Sequence, residues 1–558
     1  MSLVLGPVLR HVGETTASVW VQLDRAATVS VLGCAAPTFE VCGHHYAIVP
    51  VAGLEPDTRY PYQVRVDGER VWPPRVSPHP ESFVRTRGPR SARRHRIIFG
   101  SCRYPKVVVP KQARQLGIDA LDAYAARMSR QSPQEWPDAL LLLGDQVYAD
   151  KLTPQNRRRM AGRRDHHPDW PDDEIVGYDE YVGLYRDSWA DPEVRWLMSC
   201  VPTAMIFDDH DVHDDWNTSQ VWRQQMAETP WWRERIRAAL ASYWVYQHLG
   251  NLPPDELAAD PDYRNVLAAR VDTWPLLSEL ADRADAEVDG SKGVRFSFRW
   301  DLGTSRFIMI DSRNGRILDD GRHLMLGDRE FDWVEQQMAD GVDHLVIGTS
   351  LPWLLPHALG DVQAVNQIAA NRPGWRGRLA ETIRPGGDLE HWQAFHDSFD
   401  RLTRLIGRAA NGDPGERPPA TVSVLSGDVH HSYVAWVDLP GITSNRTDSG
   451  NGTDSGNGTD GAARVHQLTC SPVHNKLHWF IKPAFRLGWS RRLARLTGRL
   501  SDRAGVAPVP VRWEKLCGPL FGNMIATLEL DDRHAAVSFE QPSTAASLTE
   551  LARLKLTT

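Results

Sequence analysis

Five separate stretches of this 558-residue chain share one layout, an apolar run that stops at a residue able to bind a cation. The clearest is Ala139 to Asp150, ALLLLGDQVYAD. Its unbroken apolar segment reads as a buried parallel strand that ends at Gly144 and delivers the carboxylate of Asp145. Tyr148 follows within the same tight loop, close enough to face the same ion, and a phenolate is a hard anionic donor suited to ferric iron. The other runs are HRIIFGSC, ending at Cys102; VPTAMIFDDH, ending at Asp208, Asp209 and His210; RFIMID, ending at Asp311; and TVSVLSGDVHH, ending at Asp428, His430 and His431. Strands of an α/β sheet place their carboxyl ends on one edge, so these distant side chains are expected to converge there.

Composition narrows the class. With 41% hydrophobic and 24% charged residues, the chain has the make-up of an ordinary globular protein, and its length allows two or three domains. A formal net charge of -7 gives no global pull toward nucleic acid. No apolar run reaches membrane-spanning length and the first residues show no signal peptide, so a cytoplasmic location is expected. Six scattered cysteines do not form a disulfide framework.

Residues 1–90 show short alternating segments such as TASVWVQL and RYPYQVRV, a small β-sandwich followed by a basic linker. From His95 onward strands alternate with helical stretches, expected near 112–130, 230–248, 327–338 and 388–406, as in an α/β domain over 91–545. RFSFRWDLGTSRFIMID reads as a hairpin, and the runs from RVHQLTCSP to AAVSFEQP are expected to build a second sheet. The loop histidines His166 and His167 read as solvated. The repeated TDSGNG within 443–461 reads as a disordered loop, and 546–558 as a tail. Residues 476–505 are basic and amphipathic; surface helices or a lid over the active-site edge are favoured, with membrane contact through 476–500 the lesser alternative. Oligomeric state is not legible.

Taken together, FGSCR, LLLGDQVY, IFDDHD and LSGDVHHS resemble the signature blocks of the alkaline phosphatase D-like (PhoD-like) branch of the metallophosphatases, over roughly residues 95 to 545. The front segment AGLEPDTRYPYQVRV resembles the corner of a fibronectin type III sandwich. The first resemblance implies a four-layer αββα sandwich, a metal centre between the ends of two sheets and hydrolysis of phosphate monoesters or diesters. It also implies iron held by Cys102, Asp145 and Tyr148, with calcium as the associated metal. Asp209 stands where related phosphatases have the asparagine of a GNH motif, and His210 matches the catalytic histidine beside it. Asp428 and His430 match the two histidines of a GHxH motif.

These residue types suit the chemistry. Paired cations neutralise phosphate oxygens and lower the pKa of a coordinated water, so that hydroxide can attack phosphorus in line. Asp145 is expected to bridge the two ions, while Asp209 and Asp428 serve the second one, where calcium, manganese or magnesium fits. His210 is placed to protonate the leaving oxygen, and Arg313, just past Asp311, to add a charge to the phosphate or to form an ion pair. Asp208 ranks ahead of Asp214 and Asp215 as a further acid, and His431 is expected off the ions. Where relatives carry a metal-binding histidine after the preceding strand, HLVIGTSLP offers Thr349 and Ser350. The rival readings are a non-catalytic binding protein on the same scaffold and a metallohydrolase of a non-phosphate ester.

Overall fold

The computed structural model of the chain describes residues 2–88, 94–162, 169–290, 293–318, 322–339, 341–370, 374–386, 389–412, 417–441, 461–476 and 481–557. His166, His167 and the TDSGNG repeat lie outside them.

Two sheets face each other. In the first the order is Thr203–Ile206, Ala139–Leu143, His95–Gly100, Ile525–Asp531, His534–Thr544 and Ser547–Lys555. The first three strands are parallel and the rest antiparallel. In the second the order is Phe298–Leu302, Ser305–Met309, His344–Gly348, Thr421–Ser426, Arg464–Thr469, Ser432–Asp438 and Arg512–Leu520. Its central strands are parallel, and Phe298–Leu302 closes the expected hairpin.

Strand periodicity sets the layers. Phe307, Met309, Val346 and Leu425 point into the core shared with the first sheet. Their sequence neighbours Ile308, Ile347, Val422 and Val424 pack instead with Phe331, Val334, Leu402 and Ile406 of the helices Asp328–Met338 and His396–Asn411. Helix Ala120–Met128 covers strands of the first sheet from the other side, which completes a helix–sheet–sheet–helix stack.

The structure corrects several boundaries. The helix expected near 112–130 is two, Pro110–Leu116 and Ala120–Met128, because Gly117 takes a left-handed φ of 79° and Asp119 caps the second through the Leu121 N–H (2.9 Å). Ile525–Asp531 and His534–Thr544 join the first sheet rather than the second, since the central strand His95–Gly100 offers them a free edge. Ser547–Lys555, expected as a tail, pairs as the next edge strand. Helices His357–Ala370 and Trp375–Gly386 occupy a stretch with no expected elements, and the helix anticipated near 388–406 begins at His396.

The N-terminal β segment packs directly on this body. Arg10 is fully buried, with its guanidinium on Gln247 O and Asn251 Oδ1, and Tyr62 donates to Ser199 O at 2.7 Å. The amphipathic stretch forms helices Ile481–Gly488 and Arg491–Ala504, and Phe485 stacks on His431 with ring centres 3.9 Å apart. No helix among the described residues is long and apolar enough to cross a membrane.

Candidate metal centre and active-site cavity

Both sheets deliver their parallel strand ends to one rim. Cys102 follows His95–Gly100, Asp145 follows Ala139–Leu143, and Asp208 and Asp209 follow Thr203–Ile206. From the opposite sheet come Asp311 and Arg313, then Ser350, then Asp428 and His430. Carboxylate oxygens of Asp208, Asp209 and Asp428 lie within 4.8 Å of one another, as do single ligand atoms of Asp145, Asp209 and His210. Tyr148 donates its hydroxyl to Asp145 Oδ2 at 3.1 Å, and Cys102 Sγ lies 3.6 Å from the Asp428 carbonyl. Asn475 Nδ2 joins Tyr148 to His430, at 2.7 Å from the hydroxyl and 3.4 Å from Nε2. All the metal candidates read from the sequence therefore meet in one place.

The backbone is bent to achieve this. Cys102, Asp145, Asp428 and His430 all have left-handed φ, between 49° and 62°, a conformation that costs non-glycine residues energy and concentrates at functional sites. Gly144 has φ 111°, and a Cβ there would stand 2.7 Å from Asp208 Cβ, so the two acidic loops approach closely only because this residue lacks a side chain. Asp211 ties the loops together, accepting from the Gln146 and Val147 N–H groups (both 3.1 Å) and from Asp208 N (2.9 Å). Burial pushes its pKa up to about 7 against those hydrogen bonds.

Crowding of acids dominates the electrostatics. Burial raises the Asp145 carboxyl well above its usual range, and Asp209, Asp211 and Asp428 add to this while His210 opposes it. Asp208 is raised in the same way, against the pull of Arg313. Burial together with the charges of Asp145 and its neighbours also pushes up the Cys102 thiol and the Tyr148 phenol. For Asp428, burial is outweighed by the His391 hydrogen bond and by Arg313, which hold it below the carboxylate range. Among the described residues, Asp145 Oδ1 and Asp208 Oδ2 are buried acceptors without a hydrogen bond, and Asp209 Oδ1 faces the Arg313 guanidinium 3.4 Å away. Buried acceptors left unpaired at this density are what a cation site requires.

His210 stands at the mouth. Its Nδ1 is 2.9 Å from Asp150 Oδ2, and its Nε2 is 3.0 Å from Lys151 Nζ. Burial alone would lower its pKa, but Asp150, Asp209 and Asp145 raise it well above the usual histidine value. A cavity of about 300 Å³ opens beyond Tyr148, His210 and His430.

Of the two roles read for Arg313, the geometry shows the ion pair, although a buried one. Arg313 does not line this cavity; it is fully buried and anchored by Asp208 and Glu390, because Asp311 accepts the Arg313 and Asn314 N–H groups (3.0 and 2.8 Å) and turns the chain inward. Ser350 is not in a ligand's position either. Its hydroxyl donates to Asp208 Oδ1 (3.1 Å) and so orients that acid. His431 is fully buried between Tyr433 and Phe485, with Nδ1 2.8 Å from Val429 O. Asp214 faces Lys151 at 3.2 Å, and Asp209 Oδ2 accepts the Asp215 N–H at 3.1 Å.

Sequence reasoning missed Asp150, Lys151, Glu390, His391 and Asn475. His391 Nε2 sits 3.1 Å from Asp428 Oδ2 and is steadied by Gln363 (2.9 Å), so a histidine reaches this acid from a segment other than residues 349–350. Asn475 could have been found by the strand-end rule, because SPVHN directly follows the strand Arg464–Thr469.

A family model described as PhoD-like phosphatase matches residues 120–474, and one described as a domain of unknown function, DUF7800, matches residues 1–84. No curated protein matches the chain. A solved structure titled "Structure of PhoD" is 12% identical, covering 99% of this chain and 89% of that one with a TM-score of 0.55. The purple acid phosphatase PPD1 from yellow lupin (Lupinus luteus) seeds is 10% identical, covering 98% of this chain and 73% of that one with a TM-score of 0.51. At these identities the likeness is one of fold.

Proposed function

Because the chain belongs to the PhoD-like phosphatase family and is a phosphoric ester hydrolase, we propose that it cleaves phosphate esters at a cation cluster held by Cys102, Asp145, Tyr148, Asp209, Asp428 and His430. His210 serves the leaving oxygen. The observation that carries this reading is the group of carboxylates Asp145, Asp208, Asp209 and Asp428, gathered within ligand distance in overlapping sets, with one oxygen each of Asp145, Asp208 and Asp209 buried without a hydrogen bond among the described residues. A thiolate and a phenolate beside Asp145 suit ferric iron, and the purely oxygen set of Asp208, Asp209 and Asp428 suits calcium, manganese or magnesium. When bound, such cations withdraw charge from phosphate oxygens and make water a competent nucleophile near neutral pH.

The remaining work belongs to the chain itself. Arg313 and Ser350 orient Asp208, and His391 orients Asp428, so the acceptor oxygens keep their spacing. Asp150 fixes the His210 ring through Nδ1 and leaves Nε2 facing the cavity, where its proton is available to the departing oxygen.

The test is release of nitrophenol from p-nitrophenyl phosphate and bis(p-nitrophenyl) phosphate across pH, with chelated enzyme resupplied with each metal. Turnover of at least one ester is expected, lost on chelation and lost in His210→Ala; no release with any metal contradicts the proposal. Asp150→Asn is expected to lower kcat about 10- to 100-fold while leaving metal content unchanged, because it frees the ring without touching the carboxylate cluster. An unchanged kcat would remove His210 from the chemistry.

A further inference from the structure

The charge of the site reverses over a short distance. Its floor is made of aspartates, whereas among the described residues no acid lines the cavity beyond it. The outer walls instead carry Tyr104 and Leu116 together with two ammonium groups, Lys151 and Lys476. We propose that this cavity is a leaving-group subsite selecting phosphate esters whose leaving group carries an anionic group of its own, a second phosphoryl group in the first instance. The inference rests on the phosphoesterase reading of the adjoining cluster.

Neither lysine is placed at random. Lys151 is half-exposed, and its Nζ is held by Asp214 Oδ2 at 3.2 Å, beside His210 Nε2 at 3.0 Å. An ammonium has three N–H donors and Asp214 accepts one of them, so donors remain for a ligand in the cavity. Lys476 is exposed, and its backbone N–H bonds to Asn475 Oδ1 at 2.6 Å. Since the Asn475 amide also holds the Tyr148 hydroxyl at 2.7 Å, Lys476 is tied to the geometry of the metal cluster. A neutral leaving group would need only the Tyr104 and Leu116 side of the cavity. Two ammonium groups on the wall of the cavity that Tyr148, His210 and His430 also line match a second anion, and the aspartates behind them repel that anion outward into the subsite.

A matched pair of substrates tests this: propane-1,3-diol monophosphate and propane-1,3-diol bisphosphate, compared by phosphate release at fixed free metal. After correction for two equivalent ends, the wild type is expected to favour the bisphosphate about tenfold in kcat/KM, the yield of two partly exposed ion pairs. That ratio should fall toward one in Lys476→Ala and in Lys151→Gln, and should shrink as salt is raised. A wild-type ratio of one, or a ratio that neither substitution moves, overturns the subsite while leaving the phosphoesterase reading intact. Binding of propane-1,3-bisphosphonate and propylphosphonate, measured by calorimetry on the same proteins, separates the two failures. If neither ester is cleaved, tighter bisphosphonate binding that weakens in Lys476→Ala still supports the subsite, and equal binding overturns it.

Discussion

Replacing Asp145 by asparagine is expected to lower kcat/KM on the order of 10³-fold or more, since several kcal/mol of charge stabilisation depend on the cations it helps to hold. The same substitution should make the metal-free protein more stable near neutral pH. The sign follows from the direction of the shift. The folded, metal-free protein holds the Asp145 proton to a higher pH than the unfolded chain does, because burial and the neighbouring acids disfavour its charge. As pH rises past the unfolded carboxylate pKa, roughly 4, the unfolded state releases its proton first and stability falls; asparagine removes that loss. Thermal denaturation of chelated wild type and variant between pH 4 and 8 checks this. A variant less stable at pH 7 and no more stable at any higher pH would mean that Asp145 is a structural acid rather than a strained ligand.

Arg313→Met should cost about 3–5 kcal/mol of folding stability, the usual consequence of removing one partner from a buried charge network. Asp208 and Glu390 are both nearly or fully buried, and both use this guanidinium. Arg316 still reaches Glu390 at 3.3 Å, but Asp208 Oδ1 keeps only neutral donors, the Ser350 hydroxyl and the Asp209 N–H, both at 3.1 Å, among the described residues. Denaturant unfolding reads the effect directly. A variant of wild-type stability whose only defect is a raised KM for phosphate esters would restore the role of phosphate clamp that the sequence suggested for Arg313.

Why the cluster was legible and its support was not is a matter of where each residue sits. Asp145, Asp209 and Asp428 close apolar runs, and a run of that kind announces both the strand and the rim to which it points. Cys102 and Tyr148 were recognisable through the blocks around them. Glu390 and His391 close no apolar run and fall within the helix expected near 388–406, which in the structure begins only at His396. Their partners Arg313 and Asp428 stand 77 and 37 residues away, so only the folded chain reveals the pairs. The fate of the last strands was hidden for a related reason. A strand of alternating residues such as those in Ile525–Asp531 can extend either sheet, and the choice depends on which edge the rest of the chain leaves open.

The central claim is that acids brought together from two sheets jointly hold cations, and the most direct test is elemental analysis of the purified wild-type protein beside Asp145→Asn. The account predicts about two bound metal ions per chain in the wild type, iron among them, and a loss of at least one in the variant. A catalytically active wild type with no stoichiometric metal, or a variant that keeps the full complement, would contradict it.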